Sequence, residues 1–434
     1  MKDALRYKIN ILLIVVYVLT FVNGVIYLFP ALTPIRTMST ISSSIVLLGI
    51  SLSSFQYLNP FYTISFIAIT IAGCLNVLFI GKGEWYLGFY GLMDILNIFG
   101  AISIIKEIEV KRLFPYLYKR VIWFCKIFLV FQVPFSLMQY LKYGANDNVG
   151  GTYGLGGSGM LTFMCIVCVF LLITSSDLFD RRQFVFVYNY KKIIVYLCGL
   201  LPIFINETKV SVILIPILFI GIIKFKKIST VICPALLLIM FLSLFSTYYS
   251  NDVANSYQFS DIFKDDFVKE YLTGELDETS GDFEDIPRFT KIVYANKEFT
   301  KKLLPALLGN DYGAFKGGTS VSRSEFATRY SWLLVGSRPL IFNFFIMGGI
   351  ILTVLIISVL IRFIVEDASK KFTNKWNVKF FFMGIFIILL FYNDSILSVA
   401  FSLPLILIMY SVKKLEIIKK VYEIKKKKAS APEL

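Results

Sequence analysis

Histidine is absent from the 434-residue chain. That removes the commonest general base at neutral pH and the commonest zinc ligand. Charge is scarce as well, at 17% of residues against roughly a quarter in an ordinary soluble domain. There are only six cysteines, and all of them fall in or beside apolar runs. Cys165 and Cys168 make a C-x-x-C inside one such run, where small packing residues are the expected reading. Neither a disulfide framework nor a metal site follows from this pattern.

What the chain has instead is apolar surface, 57% of residues, with 16% aromatic. It comes in runs of about 18 residues or more, long enough to cross a hydrocarbon core of ~30 Å. The expected fold is an all-α polytopic membrane protein of about 12 transmembrane helices. The spans read as 9–29, 36–57, 61–80, 86–105, 120–141, 158–176, 192–206, 209–223, 230–249, 339–361, 380–394 and 396–412. The first is too long for a cleavable signal and lacks a small-residue cleavage site. Two pairs, 192–206/209–223 and 380–394/396–412, turn with almost no loop and read as helical hairpins or partly re-entrant elements.

The formal net charge is +15, but its placement does not describe a nucleic-acid surface. Residues 250–338 hold 11 Lys/Arg and 14 Asp/Glu, so the excess of basic residues lies in short loops and the tail. With the N-terminus inside, and residues at span edges counted, 28 Lys/Arg fall in inner segments. Short outer segments hold four, Arg36, Lys82, Lys142 and Lys209. Such a bias sets orientation, and loops beyond ~60 residues are exempt from it. Both termini are therefore expected in the cytoplasm. The division is helices 1–9 over 1–249, an extracytoplasmic loop subdomain over 250–338, helices 10–12 over 339–412, and a basic tail over 413–434. That tail is amphipathic and suited to an anionic leaflet.

Several elements on the outer side carry chemistry. Seven of the sixteen residues from Gly144 to Gly159 are glycine. Gly154, Gly156 and Gly159 even spell G-x-G-x-x-G, but the strand and βαβ unit of a dinucleotide site are lacking. Such a loop offers backbone N–H groups beside a helix N-terminus. A flexible turn and a substrate contact weigh about equally there, with Asp147 and Tyr153 as the polar handles. Glu207 and Lys209 sit between two apolar stretches, where an ionisable group is a functional candidate unless it caps a solvated hairpin. Asp94 and Asp394 are weaker cases, and Asp94 could simply serve a neighbouring helix.

Within 250–338, an amphipathic stretch runs from Arg288 to Leu304 with Asp285 as its expected N-cap. Ser322-Arg-Ser-Glu325 reads as a capping box opening Phe326–Leu334, with Phe326, Tyr330 and Leu333 on one face. Four arginines, Arg288, Arg323, Arg329 and Arg338, lie on this side. Arginine suits bidentate binding of phosphate oxygens, although two of the four in ordinary surface ion pairs is the plain expectation.

In layout the chain resembles the O-antigen and capsular polysaccharide polymerases (Wzy-type), which are related to the O-antigen ligases. Gly150-Gly-Thr-Tyr-Gly154 is similar to the family's Gly-Thr-Phe-Gly stretch before a mid-chain span. Asn206-Glu-Thr-Lys-Val-Ser211 is similar to its Ser-Arg or Ser-Lys turn. Arg288 followed by Pro305-Ala-Leu-Leu-Gly309 and Gly313 resembles an arginine before a glycine-rich turn. Ligases carry His-Asn ahead of a Gly-Ile-Ile-Gly-like span start. Here Ser337-Arg338 precedes Gly348-Gly-Ile-Ile351 instead.

The resemblance implies a metal-independent glycosyltransferase without a cofactor, facing outward from a bacterial cytoplasmic membrane. Its substrates would be undecaprenyl-pyrophosphate-linked repeat units, with a flippase and a chain-length regulator as accessory partners. Lys209, Arg288 and Arg329 would bind pyrophosphate, and Arg338, near the ligase histidine position, would join them at the reacting centre. Without histidine, the acceptor base would be Glu207 or Asp394. No Asp-x-Asp occurs in the chain, and the short inner loops leave no room for a nucleotide-binding domain. A lipid-linked oligosaccharide flippase and an O-antigen-type ligase stay open as alternatives.

Overall fold

The computed structural model describes residues 2–27, 29, 32–80, 85–144, 148–175, 179–180, 185–186, 190–206, 210–222, 288–316, 323–334, 338–366 and 375–429. The expected ninth span, 230–249, and Asp285 lie outside them. The described chain is helical, apart from a two-residue ladder pairing Phe179–Asp180 with Val185–Phe186. Seven helices among the described residues are long and apolar enough to cross a membrane.

In chain order the helices begin with α1 (Lys2–Tyr17), which continues through a π-helical turn into α2 (Asn23–Tyr27). Next come α3 (Thr33–Leu52), α4 (Pro60–Leu75), α5 (Trp85–Val110) and α6 (Phe114–Tyr143). α7 (Ser158–Ser175), α8 (Tyr190–Ile205) and α9 (Ser211–Ile222) complete the first part. A small cap follows, of α10 (Arg288–Phe299), α11 (Leu303–Leu308), α12 (Glu325–Arg329) and α13 (Ser331–Leu334). The chain then runs through α14 (Leu340–Val365), α15 (Lys375–Tyr392) and α16 (Val399–Ala429).

Local sequence explains several boundaries. Pro60 opens α4 while the Asn59 side chain accepts the Tyr62 amide at 3.1 Å, satisfying an N-terminal donor. α6 stops at Gly144, whose φ of 75° costs a glycine little. α5, α7 and α16 form the centre, α16 packing on both of the others. Cys165 and Cys168 are wholly buried within α7, as packing residues would be.

The cap has its own apolar cluster. Phe299 of α10 lies 5.4 Å from Phe326 and 5.1 Å from Tyr330, ring centre to ring centre. Leu333 is buried in the same cluster, which continues into Phe342 and Ile346 of α14. The α12 N-cap is Ser324, accepting the Ala327 amide at 3.1 Å, two residues beyond the expected Ser322. Starting there lets Phe326 and Tyr330 both face Phe299.

The decisive feature is a break in α14. Gly348 and Gly349 leave the helical conformation, Gly349 at φ 61°. A break inside an apolar bundle frees peptide groups that need partners. The Ile346 carbonyl accepts the Asn310 amide at 2.8 Å. The loop after α11 is in turn gripped by α4's continuation, where the Asn76 side chain donates to the Leu308 and Gly309 carbonyls, each at 2.9 Å. Backbones meet so closely that a Cβ on Gly309 would lie 2.2 Å from the Met347 carbonyl oxygen.

Gly349→Ala is expected to destabilise the protein by about 1–3 kcal/mol from backbone strain alone. A clash with the Ala306 carbonyl, 2.5 Å from the added Cβ, comes on top. Thermal unfolding in detergent reads this out, and an unchanged midpoint would contradict the docked break.

Candidate functional site

The polar groups at one end of the bundle converge because the docked loop carries Lys316 to α5. There Lys316 pairs with Asp94, whose side chain is 5% exposed against 17% for the lysine. Tyr90, one turn earlier on α5, lies 4.2 Å beneath the ammonium. Close packing permits this approach: a Cβ on Gly91 would overlap the Tyr312 carbonyl, and one on Gly313 would sit 3.0 Å from the Gly88 amide nitrogen. Burial, the largest single effect, would lower the Lys316 pKa, but Asp94, Tyr90 and Asp394 together outweigh it, and the net shift is upward. Lys316 is therefore a fixed cation at neutral pH. Asp394 acts on it electrostatically as well.

Asp394 sits in the bend between α15 and α16. It accepts a hydrogen bond from the Asn343 side-chain nitrogen at 2.8 Å and pairs with Arg338 at 3.0 Å. Arg338 also stands 4.8 Å over the Phe315 ring. On the same bend, Arg288 Nε donates to the Tyr392 carbonyl at 3.0 Å, its guanidinium 4.5 Å from the Tyr392 ring centre. Tyr392 and Asp394 are two residues apart, so α10 and the entry to α14 each deliver an arginine to one short bend. Three cations, Arg288, Lys316 and Arg338, thus gather with two carboxylates, Asp94 and Asp394.

Two buried polar atoms here have no hydrogen-bond partner, the Arg338 Nε and the Asn343 Oδ1. Buried polar atoms are rarely left so. One is a donor and the other an acceptor, and the side chains that bear them both touch Asp394. The arrangement can hold a multiply charged oxyanion against planar guanidinium groups, with a carboxylate within reach of a neighbouring hydroxyl.

The remaining expected residues are placed differently. Arg329 is exposed on α12, 5.6 Å from the Tyr330 ring centre. The Tyr153 ring lies 6.0 Å from Phe128, and its hydroxyl is buried without a partner in the bundle interior. Asp147, Glu207 and Lys209 lie outside the described residues. The turn's flanks are described: Asn206 donates to Thr162 Oγ1 at 2.8 Å and to the Ser158 carbonyl at 3.2 Å. Neighbouring Gly159 abuts Asn393, 2.6 Å from where its Cβ would be. Asn206, just before the undescribed residues 207–209, therefore lies close to the bend holding Arg288 and Arg338.

The glycine-rich segment spends its amides on the protein. Gly151 N–H donates to Gln139 at 2.7 Å and Thr152 N–H to Gln132 at 2.9 Å. The two glutamine side chains donate back to the Gly151 carbonyl at 2.9 Å and the Thr152 hydroxyl at 2.8 Å. Gly154 and Gly157 amides close turns within the segment. It is a clamped turn, with these groups committed.

Lys316 and Asn343 are members the sequence reading passed over. Asn343 carried a signal, as a lone amide in the apolar run Leu340–Met347. Lys316 had none, since its partner is distant in sequence. Among the described residues no group of His, Cys, Asp and Glu side chains is placed to hold a metal ion.

Lys316→Met alone is expected to cost about 3–5 kcal/mol of stability, because Asp94 is left charged and buried. Asp94→Leu/Lys316→Met together should recover most of that loss. Melting curves of the wild type, the two single variants Lys316→Met and Asp94→Leu, and the double variant decide it, and additive effects of the two substitutions would refute the coupling.

Comparison with family models, with curated proteins and with solved structures finds no match to this chain.

Proposed function

We propose that the protein polymerises lipid-linked oligosaccharide repeat units at the outer face of a bacterial cytoplasmic membrane. The growing glycan passes from its undecaprenyl pyrophosphate to the non-reducing end of a new lipid-linked unit. The observation that carries this reading is the meeting of Arg288 and Arg338 at one bend, with Asp394 paired to Arg338. That end of the bundle is also where the charge bias puts the outer side.

In this reading the donor pyrophosphate lies against Arg288, Arg338 and Lys316, with Lys209 contributing from the adjoining turn. The acceptor hydroxyl attacks the anomeric carbon, and the bond from that carbon to the phosphate oxygen breaks. The lipid pyrophosphate leaves with the electron pair, and guanidinium groups stabilise the charge that develops. The acceptor proton passes to a carboxylate. Asp394 is favoured because a phosphate that takes over Arg338 frees its oxygen, and Glu207 is the second candidate. A proton acceptor must come within ~3 Å of the hydroxyl, so positioning carries much of the rate.

A gel ladder from purified protein and a defined lipid-linked repeat unit tests the reading directly. Arg288→Ala and Arg338→Ala are expected to reduce polymer about 100-fold or more while the protein stays in the membrane. Lys209→Ala should do the same, and chelators should leave the ladder unchanged. Normal-length polymer from Arg288→Ala would remove its role. Accumulation of inner-face units in a deletion strain would point to a flippase, and persistence of long lipid-linked polymer to a ligase.

A further inference from the structure

The other end of the bundle holds a second polar cluster, which the proposed reaction does not use. The twelve steps from Asp94 to Lys106 along α5 rise about 18 Å, so the two clusters are well separated. Here α5, α14 and α16 enclose a recess lined in part by Lys106, Glu109, Glu366, Tyr410, Lys413 and Lys414. Its empty volume is about 440 Å³, part of it open to the exterior.

The carboxylates are committed to holding the walls together. Glu109 joins Lys106 of its own helix, at 3.4 Å, to Lys414 of α16. Glu366 receives Lys106 at 3.1 Å and the Tyr62 hydroxyl at 2.8 Å. Burial opposes the charge on Glu366, but Tyr62, Lys106 and Arg362 together bring its pKa below the usual value. It is therefore ionised at neutral pH. Three lysines line the recess against two glutamates. Arg362, stacked 4.5 Å from the Phe61 ring, adds a further positive charge beside Glu366. The Lys413 ammonium donates to the Phe363 carbonyl, at the rim formed by the end of α14.

One group in the wall points to an occupant. Tyr410 is 4% exposed, and its hydroxyl has no hydrogen-bond partner. A buried hydroxyl is costly to leave unmade. A net positive recess between helices, followed by six further lysines in residues 415–428, is the pattern that receives acidic headgroups.

We infer that this recess binds a phosphate group, with Lys413, Lys414 and Lys106 as its cations and the Tyr410 hydroxyl as a neutral donor. A phosphodiester of an anionic phospholipid and a free phosphate share this chemistry, and the experiment separates them. The inference does not rest on the polymerase reading, since it concerns another end of the molecule and needs no turnover.

The test uses the full chain, purified and delipidated in detergent. Binding is read as the rise in unfolding midpoint with dioleoyl phosphatidylglycerol, dioleoyl phosphatidylcholine or inorganic phosphate. Phosphatidylglycerol is expected to bind about tenfold more tightly than phosphatidylcholine. Tyr410→Phe, which keeps the ring, should weaken that binding about fivefold, and Lys413→Gln by more, with unliganded midpoints unchanged. Saturation by inorganic phosphate at millimolar concentration, lost in the same variants, would assign the site to the free anion. Equal affinity for the two lipids with no response to phosphate would overturn the proposal. So would undiminished binding by Tyr410→Phe, which serves as the check should Lys413→Gln fail to fold.

Discussion

A helix that breaks inside an apolar bundle must hand its freed peptide groups to another part of the chain. In α14 the break at Gly348–Gly349 is met by the segment after α11, whose Asn310 amide takes the Ile346 carbonyl. Glycines on both sides, Gly309 and Gly349, let the backbones touch where side chains would collide. Asn76 then holds the same segment from α4's side. The position of Lys316 follows from this docking, because only a few residues separate it from the contact. Asp94 and Lys316 reinforce the arrangement, each supplying the charge the other needs away from water.

Charge placement repeats that logic at both ends of the bundle. At one end Asp394 ties Arg338 and Asn343 to the α15–α16 bend; at the other Glu109 and Glu366 tie Lys106, Lys414 and Tyr62. The carboxylates are thus spent on joining helices, and the cations outnumber them. An excess of positive charge in a semi-enclosed site attracts phosphate more strongly than the same excess in open water, where screening is effective. The same inventory therefore holds helices together and leaves an excess of positive charge at both ends.

Much of the helical layout is legible because long apolar runs are a strong signal, and the seven described helices of membrane-crossing length fall where seven of those runs are. Phe326, Tyr330 and Leu333 were readable as one face from helical spacing, and that face meets Phe299 and its cluster. Arg288, Arg338 and Asp394 were each singled out, but their convergence was not, since it depends on how three distant segments pack. Gly348–Gly349 looked like part of a motif and gave no sign of a break. Asp94 reads as a residue able to serve a neighbouring helix, whereas its partner is Lys316 in a loop 222 residues away, which nothing nearby in the sequence marks. The N-cap moved from Ser322 to Ser324 because tertiary contacts to Phe299 set the register of that short helix.

The glycine-rich segment shows how tertiary partners decide what local composition leaves open. Its amides looked available, but Gln132 and Gln139 lie seven residues apart on α6 and so share one face of that helix. Both are buried, and each grips one residue of the segment through a donor and an acceptor. A buried amide side chain facing apolar surroundings needs such a partner, and a turn rich in glycine can approach closely enough to supply it. Gly24 admits α2 against Thr152 in the same way. Two buried glutamines on one face of α6 are thus the signal that marks the segment as a joint between α6, α2 and α7. That joint fixes the start of α7, where Ser158 holds Asn206 and Gly159 meets Asn393. Through it the glycine-rich segment bears on the arginine cluster as support for the bend.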